Sequence, residues 1–134
     1  MYKDLIEKYL LNAEEKLSVA EYLLIGKFYK DSISRSYYSM FFAAKALLAT
    51  KEIYPESHKG VVLQFGLQFV KDGFIKEMYG RTFRIAKEQR ECVDYGIDIV
   101  VHHGEAETNF KKANEFLKVV KQAIEKIQLQ REMG

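Results

Sequence analysis

Arg90 and Asp94 stand four residues apart, Tyr95 follows directly, and Arg81, Arg84 and Lys87 precede them on three-residue steps. Residues four apart share a helix face. Arg90–Asp94 is therefore either an ordinary surface ion pair, worth about 0.3–0.5 kcal/mol, or a guanidinium that a carboxylate orients toward a phosphate. Guanidinium suits the second role because its planar fork binds phosphate oxygens in pairs and keeps its charge at any physiological pH. Arg84 and Lys87 would extend a phosphate-binding strip toward Arg90, although the interleaved Glu77, Glu88 and Glu91 make the pattern of a solvated charged face. The stretch Glu56 to Val61 puts His58 and Lys59 in the first turn of a helix. Free N–H groups and the helix dipole attract anions there, and Gly60 lets one come close. The simpler account is a capping Ser57 with His58 in solvent. His102 and His103 carry the remaining imidazoles, twelve and thirteen residues beyond Arg90. Adjacent histidines without a third spaced ligand do not make a metal site, so no metal and no cofactor are expected. Lone Cys92 reads as a small buried hydrophobe, with no paired base nearby for thiolate chemistry.

These residues need helices to position them. Leu5, Ile6, Tyr9, Leu10, Ala13, Leu17, Ala20, Leu23 and Leu24 recur at three- and four-residue steps, which predicts an amphipathic helix ending near Gly26. A second helix is expected from a cap at Asp31 or Ser32 through Lys51, with Ile33, Tyr37, Met40, Phe41, Ala44, Leu47 and Leu48 as its apolar stripe. Tyr37 and Tyr38 are adjacent and so point about 100° apart, which lets one pack in the core while the other reaches a seam or groove. Arg35 and Lys45 flank this aromatic run and would be expensive to bury unpaired; Asp94 is a candidate partner. Pro55 falls in the next connection. Ser57 then caps a shorter helix that stops at Asp72-Gly73, a fourth runs from about Phe74 to Gly96 with a kink or break at Gly80, and a fifth spans about Glu105 to Leu129.

Five consecutive helices with short connections, and no segment that alternates long enough for a sheet, predict an all-α, up-and-down bundle in a single domain over residues 1–134. A chain of this length can bury a self-sufficient core. One cysteine excludes an internal disulfide and the metal fingers that need paired cysteines. The longest charge-free run, Gly60 to Val70, is 11 residues, too short to cross a bilayer, and Lys3 and Asp4 leave no room for a signal-peptide core, so a cytoplasmic location is expected. A net charge of +2 does not by itself predict nucleic-acid binding; any such activity must come from a local patch. Tyr37, Tyr38, Phe41 and Phe42 cover more of one helix than a single core stripe requires, so that helix is central or one face meets a second copy in a homodimer.

Three stretches, Arg35 to Leu48 (RSYYSMFFAAKALL), Glu56 to Val61 (ESHKGV) and Arg90 to Tyr95 (RECVDY), taken in this order and spacing, resemble the HEPN domain, the higher eukaryotes and prokaryotes nucleotide-binding family. The resemblance covers nearly the whole chain. It implies a five-helix bundle, frequently dimeric, often encoded beside a small nucleotidyltransferase in a toxin–antitoxin-like pair, with RNA-cleaving toxins among its members. The active ribonucleases of the family carry an Arg and, after four to six intervening residues, a His. Arg90 is the counterpart of that arginine, but Tyr95, Gly96 and Ile97 occupy the histidine positions. The leading expectation is thus a nucleotide- or RNA-binding module whose phosphate contacts come from Arg90, Arg84, Lys87, Arg35, Tyr38, His58 and Lys59. One alternative is a metal-independent ribonuclease using Arg90 with Asp94, Tyr95, His102 or His103. The other is a structural bundle without a ligand.

Overall fold

The computed structural model describes residues 2–96 and 98–134. Five α-helices follow one another: α1 (Tyr2–Ile25), α2 (Tyr29–Ala49), α3 (His58–Phe65), α4 (Glu77–Tyr95) and α5 (His103–Met133). There is no strand among the described residues, as the all-α expectation requires.

α2 is the centre of the bundle, packing against all four other helices. Its sequence explains how α1 comes so close. Ser32 and Ser39 lie seven residues apart, two helical turns, as do Ala13 and Ala20 on α1. The Ser32 hydroxyl donates to the Ala20 carbonyl at 2.7 Å and the Ser39 hydroxyl to the Ala13 carbonyl at 2.8 Å, which fixes the antiparallel register. Ala13 and Ala20 are completely buried, so the two backbones meet over methyl groups. Small side chains keep the seam tight; the hydroxyls of Ser32 and Ser39 are satisfied within the chain, while that of Ser36, buried between them, has no partner. On the other side of α2, Phe65, Phe83 and Phe116 from α3, α4 and α5 meet with ring centroids 5.3–5.6 Å apart.

Several boundaries differ from the periodicity. α2 begins at Tyr29, with Phe28 as an N-cap that makes no side-chain bond; Ser32, expected as a cap, is instead spent on α1. Ser57 does cap α3, accepting from the Gly60 N–H at 2.9 Å. The chain then runs into a π turn over Gly66–Val70, where the Lys71 N–H reaches back five residues to the Gly66 carbonyl. Gly73, at φ +83°, turns the chain toward α4 in a conformation that side-chain-bearing residues rarely adopt. Gly80 does not break α4, which runs through it; Val70 packs so close that a Cβ at Gly80 would approach it to 3.2 Å. α5 starts two residues early. His102 is its N-cap, the backbone N–H of His102 donating to Glu105 at 3.3 Å in a capping box.

Candidate functional site

Arg90 is the one charged residue that the core side of α4 takes in. Its side chain is only 8% exposed, and its guanidinium carbon lies 5.1 Å from the ring centroid of Tyr37 and 5.7 Å from that of Tyr38. Both rings come from α2. Tyr37 is fully buried and Tyr38 half-buried, so the adjacent pair divides between core and seam as its 100° offset requires. A guanidinium over tyrosine faces is a cation–π contact worth about 0.5–2 kcal/mol, more as water is excluded. Asp94 reaches back from one turn on, its Oδ2 accepting from Nη1 at 3.4 Å, a long contact for a charged pair. Nε is buried and has no hydrogen-bond partner. The fold holds this guanidinium in place without using all of its donors.

The third element of the site comes from outside α4. The Ser57 cap starts α3 at His58, and that imidazole lies 4.4 Å from the Phe41 ring and 5.6 Å from each of the rings of Tyr37 and Tyr38. Its Nδ1 is 2.8 Å from the Tyr37 hydroxyl. Arg90 and His58 therefore pack on the same two tyrosines. His58 is half-buried, which corrects the expectation of a cap residue standing free in water. Burial, then the positive charges of Arg90 and Lys87, push this imidazole below its ordinary range; Glu91 opposes them, and Lys45 adds a smaller push downward. Burial also raises the Tyr37 hydroxyl well above the usual phenol value, so it remains protonated. At Arg90, burial works against the charge, while Tyr38, Asp94 and Tyr37 favour it, and the balance lies above the ordinary guanidinium value. Lys87 and Glu91 form an i,i+4 ion pair beside the seam, and that hydrogen bond holds the Glu91 carboxyl below its usual value.

Arg90, Tyr38, His58, Lys87 and Asp94 are thus brought together from three helices. The other sequence candidates lie elsewhere. Arg81 and Arg84 line a separate groove beside Gly66, Val70 and Glu77, while Arg35 and Lys59 are exposed. Lys45 meets its burial cost over the rings of Tyr9 and Phe41 rather than through Asp94, which Arg90 occupies. Tyr95 is 79% exposed. His103 stands edge-on to Tyr29 at 5.6 Å, and Tyr29 precedes Tyr37 by eight residues, about 12 Å along the helix. His102 is occupied in capping. Cys92 is exposed rather than buried, because the apolar face of α4 is turned by Phe83, Ala86 and Arg90. Ile97, one of the positions where the resemblance calls for histidine, lies outside the described residues. No group of three or more metal-ligating side chains occurs among the described residues.

His58, a candidate phosphate contact from the sequence, meets Arg90 across helices, so no spacing along α4 reveals it as the imidazole of this site. The available signal was the S-H-K-G-V stretch: Ser57 sets where α3 starts and so which residue faces α2.

The architecture is a helical bundle whose central helix places two tyrosines under an arginine of the fourth helix. The HEPN domain family matches residues 6–124, and this chain belongs to it. Among its relatives is a Methanocaldococcus jannaschii protein named "Putative toxin MJ0605", 42% identical over 115 residues, covering 86% of this chain and 85% of the relative. A second protein of that organism, "Putative toxin MJ0142", is 38% identical over 120 residues, covering 90% and 82%. A Thermotoga maritima relative named only "UPF0332 protein" is 30% identical over 121 residues, covering 90% and 92%.

Proposed function

We propose that this chain is a toxin-like HEPN module that binds RNA through its phosphates at Arg90, acting as a homodimer and together with a separately encoded nucleotidyltransferase. The observation that carries the binding role is the arrangement of Arg90: a cation nearly out of water, stacked on two tyrosines, whose one carboxylate contact is loose. Such a group is preorganised for an anion, because its orientation is already fixed before a ligand arrives. The names of the two Methanocaldococcus relatives support the toxin-like reading. Support for partners comes from exposed apolar side chains: Tyr22, Ile25 and Phe28 at three-residue spacing at the end of α1 and just beyond it, and Tyr95 and Val100 at the end of α4 and just beyond it. Contiguous exposed apolar surface marks interaction sites.

Titration of RNA or nucleotide into the purified chain tests the reading. Saturable binding that weakens at least about tenfold in Arg90→Ala, and falls with added salt, is the expected result. Equal binding by the variant, or none by the wild type, leaves the ligand-free bundle as the better account. Sedimentation and co-purification with the nucleotidyltransferase test the assembly.

A second reading, metal-independent RNA cleavage, is favoured by one observation: His58 supplies an imidazole beside Arg90 although the α4 spacing lacks one. Imidazole moves protons near neutral pH, and guanidinium stabilises charge on phosphate. Cleaved RNA in the presence of a chelator, lost in Arg90→Ala, is its signature; RNA left intact during long incubation removes it.

A further inference from the structure

We propose that the anion site at Arg90 is proton-coupled: a phosphodiester seated on Arg90 also accepts a hydrogen bond from His58, which takes up one proton from solvent as the ligand binds, so that binding tightens as the pH falls. This rests on the reading of Arg90 as the phosphate contact.

The geometry supplies both halves. His58 and Arg90 pack against the same pair of tyrosine rings, and the Arg90 charge acts on the imidazole, so an anion seated on Arg90 is close enough to act on it too. Among the described residues, the Nδ1 of His58 is taken by the Tyr37 hydroxyl and its Nε2 has no hydrogen-bond partner. A hydroxyl is both donor and acceptor. Tyr37 can therefore donate to Nδ1 of the neutral ring and accept from Nδ1–H of the protonated ring. Protonation then costs no hydrogen bond and leaves Nε2–H free to donate outward.

The charges decide the direction. Facing His58 are Arg90, Lys87 and Glu91 on α4, with Lys45 and the neutral hydroxyls of Tyr37 and Tyr38 on α2. In the empty site, burial first and then the positive charges of Arg90, Lys87 and Lys45, opposed by Glu91, disfavour an imidazolium, and the group is shifted downward. A phosphodiester on Arg90 adds a second negative charge beside the imidazole and lessens that imbalance, which favours the protonated ring relative to the empty site. By linkage, a ligand that favours the protonated form is itself favoured by protons.

The test uses the full chain, a short RNA oligonucleotide with hydroxyl ends, fixed ionic strength, and pH from about 7.5 down to about 5.5. That window spans the ordinary imidazole range and stays above the ordinary carboxylate range, and phosphodiesters keep a constant charge across it. Wild-type affinity is expected to rise about tenfold over the window, and His58→Gln to bind at every pH as the wild type does at the upper end. A flat wild-type profile, or a pH dependence that survives in His58→Gln, overturns the proposal. Should the variant fail to fold, the imidazole resonances of the wild-type protein give the same answer: the His58 titration midpoint must move up when RNA is added, and an unmoved midpoint is equally fatal. Arg90→Ala separates the two ideas. Binding that depends on Arg90 but not on pH removes only the proton coupling, whereas binding indifferent to Arg90 removes the phosphate reading beneath it.

Discussion

α2 carries two seams that are built on opposite plans. Toward α1 it presents serine and alanine, and the hydroxyls of Ser32 and Ser39 are matched to carbonyls of that helix. Toward α3 and α4 it presents Tyr37, Tyr38 and Phe41, and the polar groups they meet are left partly unused: Nε of Arg90 has no partner, and Asp94 touches that guanidinium only at 3.4 Å. Close-packed interiors tolerate neither extra volume nor unmatched donors unless something compensates. The first seam leaves one neutral hydroxyl, that of Ser36, without a partner. The second leaves part of a charged group unmatched beside a half-buried imidazole, which is the larger imbalance and the one an anion can relieve.

The comparison can be broken most forcefully on the structural side. Ala13→Leu adds three carbon atoms where the α1 and α2 backbones meet and no exposed surface remains. Overpacking of this kind costs about 1–3 kcal/mol, which thermal or denaturant unfolding would register. RNA affinity of the folded fraction should be unchanged, because Arg90 and His58 lie on the other side of α2. An Ala13→Leu protein that unfolds normally but binds poorly would mean that the seams are not independent.

Tyr37→Phe is the corresponding change on the ligand side, with a smaller expected effect. It keeps the ring under Arg90 and removes the hydroxyl at Nδ1 of His58. Loss of that bond costs about 0.5–1.5 kcal/mol of stability. The same imidazole makes stability depend on pH. Its folded-state pKa lies below the unfolded value, so the unfolded chain binds more protons as the pH falls. Stability is therefore full above the ordinary imidazole value of about 6.5 and declines below it until the folded form also protonates. Melting temperature should fall from about pH 7 toward about pH 5.5, and His58→Gln should flatten that slope; an undiminished slope in the variant would assign it to other groups.

Much of this was legible in the sequence, for physical reasons that differ by element. Apolar residues at three- and four-residue steps gave α1, α2 and α5, since burial of one stripe requires that period. Ser57 marked the start of α3 because a capping side chain acts locally. Arg90 stood out because Asp94 follows it by four residues and R-x-x-x-D-Y carries the family resemblance; that it turns into the core with Phe83 and Ala86 is a finding of the structure. What escaped was determined across helices. Ser32 looks like a cap until the Ala20 carbonyl claims it, Gly80 looks like a break until Val70 fills the space against it, and His58 looks solvated until Phe41 and Tyr37 are placed beside it. None of these partners lies within a helical turn of the residue it decides, so no local pattern encodes them.

The mildest change sharpens the contrast most, because it acts on charge alone. Asp94 holds Arg90 through a long contact on a carboxylate that is itself about one-third exposed. As an i,i+4 pair it contributes about 0.3–0.5 kcal/mol to the folded chain, so Asp94→Asn should scarcely alter the unfolding transition. Toward RNA it acts in the other direction. A carboxylate beside the guanidinium competes with phosphate for the same donors and repels it, and an amide of the same shape keeps an oxygen for Nη1 without the charge. Affinity should therefore rise about two- to threefold, an effect that shrinks as salt screens the repulsion. An affinity that falls instead would show that Asp94 serves chiefly to aim the guanidinium, and that the pocket needs its acid more than an incoming phosphate suffers from it.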